Sequence, residues 1–462
     1  MITSPAFAGK RYAVLGLARS GAAAAEALLA SGAEVTVWDR QDVARAPFEG
    51  RCKLADPLEL NLTGYAGVVV SPGVPLNTHP IVGHAAQYGV PVIGDIELFA
   101  LARPDLLPHK VVGITGTNGK TTTTALVHHI LEMAGIPAVL GGNIGVPIMA
   151  QEALAPNDQG VGVYVLELSS YQVDLTFSLD CDAAALTNIT PDHLDRYDGF
   201  EGYAASKARL FEMQSGGHFA VFGLLAEPAG AIFQREQSRR LEGRAVPANL
   251  GRFAAQQSEW PSLQGPHNLE NIAVAIALVE ELGVKPAQWE HALPRFRNLP
   301  HRMERVCEEN GVLFINDSKA TNPASTAPAL AAFPPDPAIN DGAPRVHWIV
   351  GGLAKEDGLG ECAAHLDKLA AAYTVGEAGP RFAELIEPHA KAERCEMVSE
   401  AVSRAREAAR PGEVVLFSPA CASFDQFRDY EKRGEHFRQL VGVIADCCPF
   451  DDDDPHFKDI AA

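Results

Sequence analysis

The chain has no Cys-x-x-Cys pair among its eight cysteines, and eight thiols scattered over 462 residues make neither a zinc framework nor a disulfide scaffold. Buried free thiols in a reducing cytoplasm are expected. Cations are scarce. Lys and Arg number 38 against 58 Asp and Glu, a formal charge of −20, which argues against general binding to nucleic acid or anionic membranes. No apolar run reaches the ~18 residues of a membrane span, and the opening MITSPAFAGKRYAVLG lacks a basic-then-apolar export signal. No repeat of 20–50 residues is present. What the chain does have is 47% apolar residues, enough for globular cores. Its length, at about 150 residues per domain, suggests three domains.

Three strand–turn–helix starts support that count. In the first, an apolar run at 12–15 precedes GLARSG, an Ala-rich helical stretch to residue 29 and a second apolar run at 35–38. Residues 68–70 read as a further strand before the turn SPGVP, as in a doubly wound α/β sheet. The polar, proline-containing ARPDLLPHK (102–110) reads as a linker. A second start has a strand at 111–115, a glycine loop, a helix at 121–134, and strands at 161–168 and 183–188. Residues 225–262 read as an irregular peripheral excursion, and 268–282 as a helix. A third start, near 299, has strands at 312–315, 346–350, 373–375 and 414–417, a Pro-rich loop at 334–344, and a last helix from about 425 to 445. The four aspartates at 451–454 read as a solvated end. The expected fold is α/β, with boundaries at 1–106, 107–298 and 299–462.

The strongest motif is GITGTNGKTTTT (113–124) between a strand and a helix. Glycines 113, 116 and 119 let the backbone curl with its N–H groups inward, and such a concavity at a helix N-terminus binds phosphate oxygens. Lys120 neutralises the β/γ phosphates, and the hydroxyl of Thr121 or Thr122 reaches a magnesium ion. The strict phosphate-loop pattern requires glycine where Ile114 stands, so the spacing departs from the rule while the design survives. The first glycine turn is weaker. It carries Gly16, Ala18 and Gly21 rather than three glycines, and reads either as a plain strand–helix turn or as a modified nucleotide site. Asp39, at the second strand end, could hold a ribose or base edge.

Glu167 ends an apolar strand in VLELSSYQ. It is either a metal-facing carboxylate whose burial a magnesium ion compensates, or a solvent-facing residue at a strand mouth. The next strand runs into TNITPDHLDRY, placing Asn188, Asp192, His193 and Asp195 at the neighbouring tip. Parallel strands aim their carboxyl ends at one crevice, so Glu167 and His193 are expected to converge. Magnesium takes imidazole reluctantly. Lys207, in YAASKARLF, reads by itself as a surface lysine on an amphipathic helix.

GTNGKTTTT, ELSSYQ, TNITPDHLDRY, YAASKARLF, GPHNLENIAVA, LPHRMERV and INDSKATNP occur in that order. Together they resemble the Mur ligase family of ATP-dependent amide-forming enzymes, over residues 10 to 434. The resemblance implies an N-terminal Rossmann-like domain for a uridine nucleotide, a central P-loop ATPase-like domain with a mostly parallel sheet, and a C-terminal Rossmann-like domain for the amino acid. It implies that a carboxylate attacks the γ-phosphate of ATP, and that an amine then displaces phosphate from the acyl phosphate. SPACASFDQFRDYEKRGEHF and IGDIELF resemble the members using UDP-N-acetylmuramoyl-L-alanine and D-glutamate, in peptidoglycan precursor synthesis. Siblings adding another amino acid, or folylpolyglutamate-type ligases, are the alternatives; Ala18 speaks against an oxidoreductase.

By the same resemblance, Gly116, Thr117, Asn118, Gly119, Lys120, Thr121 and Thr122 hold ATP, with Asn268, Asn271, Arg302 and Asp317. Thr121, Glu167, His193 and a carbamylated Lys207 hold Mg2+. Lys319 and Thr321 lie near the reacting centre, and Lys355, Ser423 and Phe424 receive D-glutamate. Ser20, Asp39, Arg40, Ser71 and Gly73 face the uridine nucleotide, and Asn143 the muramoyl–alanine arm. Tyr430 stands where an apolar aromatic is expected. Separate substrates on separate domains imply closure about a hinge near 298–304. The protein is expected to be a cytoplasmic monomer.

Overall fold

The computed structural model describes residues 1–194, 196–223, 226–297, 299–355 and 357–444. Asp195, the 451–454 aspartates, Cys447 and Cys448 lie outside them.

Three sheets order the chain. The first has β1 (Arg11–Leu15), β2 (Glu34–Trp38), β3 (Lys53–Leu54), β4 (Tyr65–Val70) and β5 (Val92–Ile93), all parallel, in the order β3-β2-β1-β4-β5. The second has β6 (His109–Thr115), β7 (Ala138–Gly142), β8 (Gly162–Glu167), β9 (Ala183–Leu186), β10 (Phe219–Phe222) and β11 (Ala245–Pro247), all parallel, in the order β11-β10-β9-β6-β8-β7. The third has β12 (Glu304–Glu309), β13 (Val312–Asn316), β14 (Val346–Gly351), β15 (Leu369–Val375), β16 (Ala392–Glu396) and β17 (Val414–Phe417), in the order β12-β13-β17-β14-β15-β16. There only the β12–β13 pair is antiparallel. Strands covered on both faces need apolar residues without alternation. Accordingly, all six residues of β8 and all four of β17 are buried.

The sheets fall into two compact units. One holds residues 1–253 and 270–293 with the first two sheets; the other holds 254–269 and the described residues from 294 onward, with the third sheet.

The segment 102–110 connects the first two sheets and is tied down on both sides. A helix, Asp95–Ala102, runs into it, and β6 begins at His109. Polar side chains that would suit solvent are used here as fasteners. The Glu97 carboxylate accepts the backbone N–H of Phe177 at 2.6 Å and of Ser178 at 2.9 Å, and the Ser178 hydroxyl at 2.7 Å. Arg103 donates to Asp180 O at 2.5 Å and pairs with Asp182, whose carboxylate also accepts Val111 N–H. IGDIELF therefore joins the first sheet's helices to the second sheet's loops.

The stretch expected to be irregular around 225–262 contains a helix, Ala229–Arg239, and the edge strand β11. Its apolar face is narrow. Buried Glu236, paired with Arg239 and Arg240, stands where a hydrophobic residue would have advertised the helix. The last helix spans Tyr430–Ile444 and begins five residues later than expected. Residues 423–427 form a turn in which Ser423 O accepts two N–H groups, and Asp429 then accepts Lys432 N–H at 2.7 Å. Cys52, Cys181, Cys362, Cys395 and Cys421 are free. Cys307 is disulfide-bonded, contrary to the expectation of free thiols.

Replacing Glu97 with Ala removes a buried carboxylate that two backbone donors and one hydroxyl of the exposed residues Phe177 and Ser178 share. The substitution should cost about 3 kcal/mol of unfolding free energy, read by urea denaturation. A loss below about 0.5 kcal/mol would show that solvent satisfies these groups.

Candidate active site

The glycine loop follows β6, between the tips of β8 and β9. Gly116 has φ +146°, and a Cβ there would lie 1.9 Å from Thr187 Oγ1. Gly119, at φ +81°, precedes the helix Lys120–Met133, and its Cβ would lie 2.3 Å from Asn271 Oδ1. Only glycine allows either approach. The residues after β9 pin the curl. Thr117 N–H donates to Asn188 O at 2.8 Å, Asn118 N–H to Asn188 Oδ1 at 2.9 Å, and Thr187 Oγ1 to Asn118 O at 2.6 Å. Thr190 N–H donates to Thr117 Oγ1 at 3.0 Å. Thr187 and Thr190 went unnoticed in the sequence, though LTNIT directly after a buried strand was the available signal. Gly113 is a correction: it lies within β6, where a Cβ would meet Cys181 Sγ at 2.8 Å, and it serves packing rather than the curl.

Lys120 Nζ donates to Gly116 O at 2.9 Å and to Thr117 O at 2.7 Å. Thr121 is buried and its hydroxyl has no hydrogen-bond partner, whereas Thr122 is half-buried. Thr123 Oγ1 reaches Asn271 Oδ1 at 3.2 Å. Thr121 is thus the hydroxyl held without solvent or partner at the loop.

Glu167, at the end of β8, is buried, and its Oε1 accepts Asn143 Nδ2 at 2.9 Å. Asn143 N–H also bonds Glu167 O, so Asn143 braces this carboxylate from both sides. His193 is exposed at φ +53°, with Nε2 3.6 Å from Asp192 Oδ2 and its ring 5.2 Å from that of Tyr171. Among the described residues, no three His, Cys, Asp or Glu side chains form a metal-holding group. Still, a partnerless buried hydroxyl and a buried carboxylate at a phosphate loop suit a magnesium ion that takes its other oxygens from ligand and water.

Lys207 is no surface lysine. It is 1% exposed, its Nζ donates to Gly116 O at 2.6 Å, and it sits 4.5 Å over the Tyr203 ring. Burial first, then the charge of Lys120, hold its amine well below the usual lysine range. Tyr203 Oη in turn stands 3.2 Å from Thr117 Oγ1.

At the first glycine turn, Gly16 has φ +85°, and a Cβ on Gly21 would fall 1.9 Å from Gly16 O. Ser71 Oγ donates to Gly16 O at 2.9 Å, and Asp39 accepts Leu17 N–H at 2.7 Å and Gln41 N–H at 2.9 Å. These bonds support the plain strand–helix turn, with Asp39 and Ser71 as its braces. Ser20 is half-buried; Arg40 and Gly73 are exposed. Arg196, unnoticed in the sequence, donates to Val74 O beside the SPG turn and stacks 4.4 Å over Tyr171. A cleft there is lined by Pro72, Val74, Tyr171, Asp174, Arg196 and Tyr197.

In the other unit, Asp317 follows β13 and is buried, accepting Ser418 Oγ at 2.7 Å and Met303 N–H at 3.1 Å. Burial pushes its carboxyl up to about 7. Arg302 lies between His301 and Met303, both with positive φ. Lys319 Nζ donates to Tyr430 Oη at 2.6 Å and lies 4.0 Å over that ring, which explains a hydroxylated aromatic at this position. Lys355 Nζ is 3.4 Å from Thr321 Oγ1. Ser423 is buried and Phe424 is exposed. Asn268 is buried and its amide donates to Gln264 O at 3.0 Å.

Residues 114–279 match the Mur ligase middle domain, and residues 301–421 match the Mur ligase, glutamate ligase domain. The chain belongs to the Mur ligase family. A UDP-N-acetylmuramoylalanine–D-glutamate ligase of Novosphingobium aromaticivorans is 63% identical to it, over 96% of this chain and 97% of that protein. One of Zymomonas mobilis is 49% identical, over 96% of this chain and all of that protein. Among solved structures, MurF of Thermotoga maritima in complex with ADP matches with a TM-score of 0.55 at 18% identity, covering 82% of this chain and 96% of that one. The UDP-N-acetylmuramate–alanine ligase MurC of the same organism matches at 0.54 and 17%, covering 94% and 99%. At such identities these two show the shared fold.

Gly116→Ala should abolish magnesium-dependent ATP binding by calorimetry while the protein stays folded, because the added methyl must displace Thr187. Unchanged affinity would remove the loop from nucleotide binding. Asp317 gives a pH signature. Its native carboxyl keeps its proton up to about pH 7, while the unfolded chain ionises near 3.8, so stability falls as pH rises through that window. Asp317→Asn should flatten that slope in denaturant titrations at pH 4 to 7.

Proposed function

We propose that the chain is an ATP-dependent ligase adding D-glutamate to UDP-N-acetylmuramoyl-L-alanine, with release of ADP and phosphate, in peptidoglycan precursor synthesis. The observation that carries this reading is the pair Lys120 and buried Lys207 on one loop carbonyl, within a chain resembling D-glutamate ligases over nearly its full length. Each of the three sheets is the core of one domain: Rossmann-like at the N-terminus for the uridine nucleotide, P-loop ATPase-like in the centre, and Rossmann-like at the C-terminus for the amino acid. The enzyme works as a cytoplasmic monomer. No helix among the described residues is long and apolar enough to cross a membrane.

The loop residues 116–122, Lys120 foremost, hold the triphosphate, whose arrival draws Lys120 Nζ off the carbonyls of Gly116 and Thr117. The substrate carboxylate attacks the γ-phosphorus, ADP leaves, and an acyl phosphate forms. The amine of D-glutamate then attacks the acyl carbon, loses a proton, and expels inorganic phosphate to leave the amide. Thr121 Oγ1, Glu167, His193 and a carbamylated Lys207 would hold magnesium, which supplies positive charge against the crowded phosphate oxygens. Lys207 suits carbamylation because a buried neutral amine has the free electron pair that attacks carbon dioxide, losing one proton as the anionic carbamate forms. Asn143 orients Glu167, Asp317 contacts the ribose, and Lys319, Thr321, Lys355, Ser423 and Phe424 serve the amino acid.

The test is phosphate release from ATP with UDP-N-acetylmuramoyl-L-alanine and amino acids of both hands. D-glutamate alone should support turnover; turnover with L-alanine or a diamino acid instead overturns the assignment. Lys207→Ala should lose a factor of about 10²–10³ in kcat and partly recover with added acetate. Full unrescued activity would exclude Lys207 from the mechanism.

A further inference from the structure

Arg433 lies on the last helix, 2% exposed, and spends its guanidinium on two loops of the third sheet. Nε donates to Ser318 Oγ at 3.0 Å, Nη2 to Ser318 O at 2.8 Å, and Nη1 to Cys421 O at 3.0 Å. All three acceptors are neutral, and among the described residues the guanidinium makes no ion pair with a carboxylate. Asp425 and Asp317 act on it only at longer range. A buried cation without a direct ion pair is costly, and a helix could be fastened to a sheet with apolar contacts at lower cost.

The two loops it joins are informative. Ser318 stands between Asp317 and Lys319, three residues before Thr321. Cys421 stands two before Ser423, and its neighbour Ala422 exchanges backbone hydrogen bonds with Leu353, two residues before Lys355. One planar fork therefore sets the spacing of three strand-end loops, which carry every residue assigned to the amino acid. The approach is close: a Cβ on Gly352 would lie 3.2 Å from Arg433 Nη1.

We propose that Arg433 is a positioning residue for the amino-acid substrate. It locks the 317–321 and 421–424 loops in register and places a positive charge, which makes no direct ion pair, behind a pocket that must receive a dianion. The charge acts from behind the loops, through Ser318 and Cys421, so Arg433 does not itself touch substrate. This rests on the D-glutamate reading given above.

Steady-state kinetics of the full chain test it, with D-glutamate and ATP varied separately. Arg433→Met should raise the D-glutamate KM about tenfold or more, the loss of roughly 1.4 kcal/mol or more from hydrogen bonds to a charged group. The ATP KM should stay within about twofold. Arg433→Lys, which keeps the charge but loses the fork, should fall between wild type and Arg433→Met. If Arg433→Met does not fold, Ser318→Ala decides, since it removes one bond of the fork and should raise the same KM selectively. Folded variants with an unchanged D-glutamate KM overturn the proposal. So does a parallel change in both KM values with a falling Tm, which marks a purely structural tie. A wild type that fails to turn over D-glutamate overturns the functional reading and this inference together.

Discussion

One carbonyl oxygen organises the nucleotide-binding half of the chain. Gly116 O accepts Lys120 Nζ at 2.9 Å from the half-buried side and Lys207 Nζ at 2.6 Å from the buried side. Two ammonium ions so close repel each other, and burial together with the charge of Lys120 holds the Lys207 amine well below the usual lysine range. This arrangement exists only because Gly116 turns its carbonyl inward at φ +146°, and a side chain there would collide with Thr187. A backbone conformation available to glycine thus gives a hydrogen-bond acceptor to a lysine 91 residues away in sequence.

The third sheet solves a related problem differently. Its carboxyl-end loops are held by side chains reaching between strands: Ser418 to Asp317, Arg433 to Ser318 and Cys421, Lys319 to Tyr430. The glycine loop is braced mainly by backbone, the Asn188 side chain and short hydroxyls. The loops of the third sheet, which the proposed function gives to the amino acid, are braced by Arg433 and Lys319 as well. Each choice suits its ligand: a chain of phosphates can be wrapped by amides, while a small dianion needs charge at defined points.

Much of this was legible beforehand, for reasons that differ by residue. The strand–GTNGKTTTT–helix succession has few structural uses besides holding phosphate, and buried parallel strands announce themselves as short apolar runs, so the loop and most strands fell where expected. Glu167 was readable because a carboxylate ending an all-apolar strand must be compensated. Lys207 was not: its helix carries an ordinary amphipathic pattern, and its burial follows from long-range packing against Gly116 and Tyr203. Gly113 was misassigned because a glycine needed for close packing and one needed for a turn look alike in one dimension. The segment 102–110 looked like a linker because Arg103 and its neighbours are polar, and only the fold reveals Asp180 and Asp182 as their partners. Tyr430 made sense once Lys319 lay over its ring.

The charge of −20 appeared to oppose anionic substrates, and the resolution is one of distance. Two unit charges 4 Å apart at an effective dielectric of about 20 interact by about 4 kcal/mol. A surface carboxylate 20 Å away in water acts through more than two Debye lengths of ~8 Å and contributes only about 0.02 kcal/mol. Twenty such surplus charges together amount to less than one lysine at the loop. What the acidic surface does retain is an influence on encounter, since the long-range field slows the approach of anions at low salt. Affinity is set by the few donors within hydrogen-bonding reach.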